Sequence, residues 1–192
     1  MKLIAATHNN NKLREFREIL EPLGYEIVTE AEAGLDIEVE ETGTTFEENA
    51  YLKAKAIHDA SGAAAIADDS GLCVDALGGE PGVYSARYGG LDSDEGRLKL
   101  VLEKMDGVPT EKRTARFMSS IVFIDADGRE VTATGSVEGL LTEKPQGENG
   151  FGYDPIFFSP ELGKTFAEAS ADEKNAVSHR GRALRKLNEE LR

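Results

Sequence analysis

Ala63-Ala64-Ala65-Ile66-Ala67-Asp68-Asp69-Ser70-Gly71 is the stretch on which the reading of this chain turns. The apolar run Ala63–Ala67 predicts a buried strand, and the Ser-Gly pair predicts a turn that ends it. Two adjacent carboxylates then stand at the end of a buried element. Charge leaves water only at a cost, so carboxylates are rarely buried without a partner. A bound cation is one solution and would make this turn a metal-assisted active site. The plainer solution is a β-turn whose aspartates bond nearby backbone amides.

Working outward, Lys2–Thr7 predicts a first strand and His8-Asn9-Asn10-Asn11 a polar turn. Leu13, Phe16, Ile19 and Leu20 have helical spacing over residues 12–20, and Pro22 and Gly24 end that helix. Tyr25–Thr29 reads as a second strand, and the acidic segment up to Thr44 as loop with a short extended piece at Ile37–Val39. Thr44 or Thr45 with Glu47 or Glu48 forms a capping box that opens a helix to about Ser61, closed by Gly62. Beyond the acidic pair, residues 78–82 are loop, and Ser93 and Asp94 open a helix with Leu98, Val101, Leu102 and Met105 on one face. Residues 113–124 alternate as a long strand, and Asp127-Gly128 is a hairpin turn into residues 129–137. A glycine-rich loop at 147–152, a short strand at Ile156–Phe158 and a C-terminal helix broken near Ser178 complete the pass. Helices and strands interleave while the middle carries antiparallel hairpin signals. The fold class is therefore α/β with a mixed sheet. No repeat or linker divides the chain, so residues 1–192 read as one domain.

Bulk properties narrow the function classes. The 192 residues, 40% hydrophobic and 30% charged, suit one soluble domain. No run approaches the roughly 20 apolar residues of a membrane span, and Met1–Thr7 is too short for a signal peptide. The single cysteine, Cys73, excludes an intramolecular disulfide and a multi-cysteine zinc site, and between Leu72 and Val74 it reads as a small core residue. A cytoplasmic protein is expected. A net charge of -14 repels nucleic acid and anionic membrane, so neither is expected as a partner. Between Arg17 and Lys53 there is no Lys or Arg, while Glu26, Glu30, Glu32, Asp36, Glu38, Glu40, Glu41, Glu47 and Glu48 all fall there. Most of these are solvated surface, and one or two are candidates to face a metal.

Four further segments carry candidate chemistry. Thr7, His8, Asn9 and Lys12 lie at a strand–helix junction, where unsatisfied amides and the helix dipole favour phosphate. Lys12 in a first helical turn runs against that dipole, which hints at a ligand. Asn49 and Lys53, four apart, share one face of the next helix, and Lys55 does not. Phe151 and Tyr153, among glycines and before Asp154-Pro155, form either a stacking platform for a planar base or a pair of core aromatics. Lys174, Ser178, His179 and Arg180 gather donors near a helix start, fit to read carbonyl oxygens of a base or to be solvated cations.

In combination these segments resemble the inosine triphosphate pyrophosphatase family, whose members remove deaminated purine nucleoside triphosphates. The resemblance covers nearly the whole chain. It rests on Ala6-Thr7-x-Asn9-x-x-Lys12, Glu40-Glu41-Thr42-Gly43-x-Thr45-Phe46-x-Glu48-Asn49-Ala50, Ala67-Asp68-Asp69-Ser70-Gly71-Leu72, Pro81-Gly82-Val83-Tyr84-Ser85-Ala86-Arg87-Tyr88, Gly150-Phe151-Gly152-Tyr153-Asp154-Pro155 and Ser178-His179-Arg180-Gly181. Two departures are His8, where many members have Gly, and Tyr153, where some have Trp. The resemblance implies a long mixed sheet flanked by helices, two lobes with a central cleft, a homodimer, and hydrolysis of the α–β phosphoanhydride with Mg²⁺.

Carried over residue by residue, Glu40 and Asp69 would hold Mg²⁺, and Asp69 would also orient and deprotonate the attacking water. Asp68 is open between a supporting role and contact through water. Thr7, His8, Asn9, Lys12, Asn49 and Lys53 would serve the triphosphate end, and Ser70 would contact substrate beside the base. Phe151 would stack on the purine, with Gly152, Tyr153, Asp154, Lys174, His179 and Arg180 around it. Donors aimed at a C6 oxygen would favour inosine triphosphate (ITP), its deoxy form (dITP) and xanthosine triphosphate (XTP) over adenine nucleotides. Two other readings stand beside this one. The first is a non-catalytic nucleotide sensor on the same scaffold. The second is a phosphatase of the haloacid-dehalogenase type, whose nucleophile motif Asp125-Ala126-Asp127 resembles, although Arg129 stands where that family expects Thr or Val.

Overall fold

The acidic pair does not sit in a turn. In the computed structural model, which describes residues 1–192, the third strand, β3 (Ala65–Val74), runs straight through Asp68, Asp69, Ser70 and Gly71. Side chains alternate across a strand, so the two carboxylates leave it on opposite faces. Each then meets a different set of elements, and the local cue for a turn is overridden by partners distant in sequence.

The remaining elements in chain order are β1 (Lys2–Ala5), α1 (Asn10–Leu20), β2 (Glu26–Thr29), α2 (Phe46–Ser61), α3 (Asp94–Lys104), β4 (Thr114–Ile124), β5 (Glu130–Leu141), β6 (Phe157–Ser159), β7 (Lys164–Thr165), α4 (Ala171–Val177) and α5 (His179–Glu190). The seven strands form one sheet in the order β2-β1-β3-β4-β5-β6-β7. β1 is parallel to β2 and to β3, whereas β6 is antiparallel to β5 and to β7, so the sheet is mixed as expected. β7 had no signal in the sequence, being two residues long. Several local signals hold, whereas Cys73, expected in the core, is half-buried, and Ile37–Val39 forms no strand. Thr45 and Glu48 form the capping box of α2, and Gly62, at φ 65°, closes it in the left-handed conformation that glycine adopts without strain. Ser178 breaks α4 from α5 with an extended backbone.

The chain divides into two units. The first comprises Met1–Asp69, Ser119–Gly135 and Arg180–Arg192, and the second Ser70–Met118 and Ser136–His179. In the first unit the sheet is covered on both faces. Leu3, Ala5, Ala64, Ile66, Ile121 and Phe123 pack with Leu13 and Phe16 of α1 and Ala183, Leu184 and Leu187 of α5. Their neighbours Ile4, Ala6, Ala65, Ala67, Val122 and Ile124 pack with Ala50, Ala54 and Ile57 of α2. In the second unit Leu98, Val101 and Met105 of α3 pack with Phe117, Val137, Tyr153, Phe157 and Phe166.

That two-faced packing fixes the partners of the acidic pair. Asp68 continues the Ala64–Ile66 face, toward α1 and α5. Arg180 Nη2 donates to its Oδ2 at 3.1 Å, Lys12 Nζ lies 2.9 Å from the same oxygen, and Ser119 Oγ donates to Oδ1 at 2.5 Å. Arg180 is 1% exposed and its second terminal nitrogen is bound to buried Glu15 of α1. Burial by itself pushes the Asp68 carboxyl up, but Arg180, Lys12 and Ser119 outweigh it and hold it well below the ordinary carboxylate value of 3.8.

A carboxyl depressed in the folded state contributes stability that is complete above its unfolded value and is lost as pH falls through the folded one. The fall in urea midpoint between about pH 7 and about pH 3 is therefore expected to be smaller for Asp68→Asn than for wild type. Removing the guanidinium should do more. Arg180→Met takes the shared guanidinium from two buried carboxylates, leaving Asp68 with Lys12 and Ser119, and is expected to cost about 3–5 kcal/mol of unfolding free energy, read from urea denaturation at neutral pH. A loss below about 1 kcal/mol, the size of a surface pair, would show that the cluster does not support the fold.

Candidate active site

Asp69 continues the opposite face of β3, with Ala65 and Ala67, toward α2. Lys53, on α2, donates to Asp69 Oδ1 at 3.2 Å and to the Asp68 backbone carbonyl at 2.8 Å, and its ammonium also lies 3.4 Å from Glu41 Oε1. Asp69 is 5% exposed, and its other oxygen, Oδ2, is buried with no hydrogen-bond partner. Burial pushes the Asp69 carboxyl above its ordinary value, with Lys53 and Lys12 holding it back. Burial likewise draws the Lys12 ammonium down, against the opposing pull of Asp68. The first unit thus brings two carboxylates, Asp69 and Glu41, onto one ammonium, Lys53, and leaves Asp69 Oδ2 buried with no hydrogen-bond partner.

The carboxylate that shares the Lys53 ammonium with Asp69 is Glu41, and the adjacent Glu40 is exposed. Residues 35–43 belong to no strand, yet their exposure alternates: Leu35, Ile37, Val39, Glu41 and Gly43 are half-buried and the even-numbered residues between them exposed. Glu41 follows the apolar register and Glu40 the solvent one. The alternation Leu35-x-Ile37-x-Val39 is visible in the sequence and extends to Glu41. Asn49 anchors the segment's end, its Oδ1 accepting from the Gly43 amide at 2.8 Å. A Cβ on Gly43 would collide with Asn49 Oδ1 and Glu48 Cβ, so glycine is required there for close approach.

No three acidic, histidine or cysteine side chains stand together as a metal cage. The donor set present, two carboxylates with one buried unsatisfied oxygen, suits Mg²⁺, which binds through one or two carboxylates and takes its remaining ligands from water and phosphate. At the β1–α1 junction Asn9 caps the helix, accepting from Asn11 N and Lys12 N through Oδ1, and Thr7 Oγ1 accepts from Asn9 N at 3.1 Å. His8 is exposed, with Nε2 3.2 Å from Glu30.

The second unit holds the other group. Asp154 Oδ2 accepts from Phe151 N at 3.0 Å and from Lys174 Nζ at 2.7 Å, and the same ammonium stands 4.6 Å from the centre of the Phe151 ring. Phe151, Asp154 and Lys174 are therefore one constellation. Tyr153 lies apart from it, buried in the core with its hydroxyl donating to Ser85 O at 2.7 Å. Gly152 donates its amide to Asp94 Oδ2 at 3.0 Å. His179 is buried and stacked on Phe117 at 4.7 Å, and Ser178 is buried beside it in sequence. Ser70, directly after Asp69, is half-buried at the start of this unit. Arg180 lies instead in the first unit's buried cluster.

Asp125 is occupied by the hairpin it begins. Its Oδ1 accepts from Asp127 N at 2.9 Å and Arg129 N at 2.8 Å, and Gly128 takes φ 86°. That is a turn cap and not a poised nucleophile. Four residues to which the sequence analysis gave no role of their own matter here: Glu41, Glu15, Ser119 and Asp94. Only Glu41 left a local signal.

The sequence model of the Ham1 family matches residues 3–190. A dITP/XTP pyrophosphatase of Bacillus subtilis is 52% identical over 190 residues, covering 98% of this chain and 96% of that protein. One from Thermus thermophilus is 53% identical over 187 residues, covering 97% and 90%. Among solved structures, the Staphylococcus aureus Ham1 protein matches with a TM-score of 0.87 at 42% identity, covering 100% of this chain and 98% of that one. A HAM1 protein from Coxiella burnetii gives 0.88 at 39% identity, with the same coverage. Matched over its length in sequence and in fold, this chain belongs to the Ham1 family.

Proposed function

We propose that this chain hydrolyses deaminated purine nucleoside triphosphates (ITP, dITP and XTP) to the nucleoside monophosphate and pyrophosphate, with Mg²⁺ as cofactor. The observation that carries the reading is the buried, unpartnered Oδ2 of Asp69, whose other oxygen shares the Lys53 ammonium with Glu41. Relatives about half identical over nearly their whole length are named dITP/XTP pyrophosphatase, which supports the substrate class.

The geometry within each unit supports the following roles. Asp69 and Glu41 would hold Mg²⁺, Glu41 taking the part that the motif first pointed to at Glu40. The ion, when bound, supplies charge neutralisation at the phosphates. Asp69 orients the attacking water through its unsatisfied oxygen and takes its proton, which its raised carboxyl favours over an ordinary aspartate. Lys12 and Lys53 place positive charge where the leaving pyrophosphate develops its own. Thr7, Asn9 and the amides of the α1 start bind phosphate oxygens. Phe151 stacks on the purine, and Lys174, held by Asp154, points its charge at the ring system; His179 and Ser178 add donors that reward a C6 oxygen. Adenine would present an amino group to those donors, a mismatch that discriminates by orders of magnitude.

No helix is long and apolar enough to cross a membrane. With the net charge of -14, that is in keeping with a cytoplasmic enzyme, and the resemblance favours a homodimer; sedimentation at the mass of one chain would end the dimer reading.

Incubation with ITP and Mg²⁺ is expected to give inosine monophosphate and pyrophosphate. Inosine diphosphate with orthophosphate would mean cleavage at the γ-phosphate and would overturn the assignment. In the same assay Asp69→Asn is expected to lower kcat by about 10²–10⁴-fold with an unchanged urea midpoint. The adjacent glutamates separate cleanly: Glu41→Gln should raise the Mg²⁺ concentration needed for half-maximal rate about tenfold or more, and Glu40→Gln should leave it within about twofold. The reverse order would return the ligand role to Glu40.

A further inference from the structure

Asp94 opens α3, and no motif picks it out. Its two oxygens are engaged in opposite directions: Oδ1 accepts from Arg97 Nη2 at 2.7 Å, and Oδ2 accepts from the Gly152 amide at 3.0 Å. Arg97 is itself fixed, its side chain 13% exposed and its Nη1 donating to Leu91 O at 2.7 Å. The carboxylate, its side chain 52% exposed, is thus held from behind by a guanidinium that has a second hydrogen bond of its own. In front of it lies the glycine-rich loop. Phe151 N is held by Asp154, Gly152 N by Asp94, and Asn149 by the carbonyls of Ala167 and Ala169, at 2.9 and 3.1 Å. A Cβ on Gly150 would run into Asp154 Oδ2, so the loop closes tightly on that side as well. The holds from Asp154, Ala167 and Ala169 come from the chain just beyond the loop. The hold from Asp94 comes from 58 residues earlier, on a helix packed into the unit's core.

We infer that Asp94 is a positioning residue for nucleobase recognition: by holding the Gly152 amide it fixes the backbone that carries Phe151, and so sets affinity for the purine and not the rate of phosphoanhydride cleavage. This rests on the proposed role of Phe151 as the platform for the base. The hydrogen bond is charge-assisted and acts on the residue directly after the ring, so losing it frees the ring's backbone on one side while leaving Asp154 and Lys174 in place. The cost falls on binding, because the loop must then be ordered each time a base lands on it.

Two substitutions and two readouts test this. Asp94→Ala is expected to raise the KM for ITP about three- to tenfold, the range one hydrogen bond carries, with kcat within about twofold. Asp94→Asn keeps an oxygen acceptor for Gly152 N and should restore most of the KM. Amide hydrogen exchange over residues 149–153, followed by mass spectrometry without nucleotide, should quicken in Asp94→Ala and not in Asp94→Asn. Should Asp94→Ala fold poorly, Arg97→Met keeps the Asp94 carboxylate, removes the guanidinium behind it together with its bond to Leu91 O, and is expected to shift KM and exchange in the same direction. Faster exchange with an unchanged KM overturns the inference while leaving the proposed function standing, as does a loss confined to kcat. A wild-type protein that releases no pyrophosphate from ITP overturns the proposed function, and the inference falls with it.

Discussion

The carboxylate of Asp68, buried against Arg180, Lys12 and Ser119, is the interaction to which the first unit is built. Desolvating a charge is costly, and the cost is met only if opposite charge and hydrogen bonds arrive in good geometry. Here they arrive from α1, β4 and α5, elements drawn from both ends of the sequence and its middle. Glu15 completes the set by taking the other side of the guanidinium. The apolar faces of α1 and α5 pack on the same side of the sheet, so the ionic cluster and the hydrophobic layer impose the same arrangement.

Because that cluster satisfies one carboxylate fully, the next one along the strand can be left partly unsatisfied. The alternation of β3 turns Asp69 to the α2 side, where it receives a single ammonium and keeps one oxygen unpaired. An unpaired buried oxygen is a cost to the fold. It is also what a water to be deprotonated, or a divalent ion, requires. Two identical residues, adjacent in sequence, thereby acquire different surroundings: Asp68 is paired by side chains of three elements, and Asp69 keeps one oxygen without a hydrogen-bond partner. The opposite directions in which their surroundings move the two carboxyls express the same division.

In the second unit precision comes from the backbone more than from side-chain packing. Phe151 is carried on a glycine-rich loop whose consecutive amides are accepted by Asp154 and Asp94. Lys174 braces the ring and the Asp154 carboxylate together. Glycines supply the turns and the close approach, and carboxylates replace the strand partners that such a loop lacks. A planar ligand meeting this ring would find it already oriented, which lowers the entropy lost on binding.

Local signals were enough for much of this. The capping box at Thr45–Glu48, the Gly62 stop, the Asp127-Gly128 hairpin, the α3 face and the break at Ser178 depend on neighbours within a turn or two, and each stands where the residues put it. The family motifs likewise carry their own order and spacing, so membership was legible before any coordinates. What needed the tertiary structure is whatever depends on a partner far along the chain. The Ser-Gly pair reads locally as a turn, but partners at positions 12, 53, 119 and 180 make the acidic pair the middle of a strand. Arg180 reads as a donor for a base until Glu15 and Asp68 claim it. Most elements and the mixed α/β class were legible from periodicity and short-range capping, and the family from its motifs. Which carboxylate is paired and which keeps an unpaired oxygen emerges only in the folded chain, because desolvation and pairing are properties of where a group ends up and not of its neighbours in sequence.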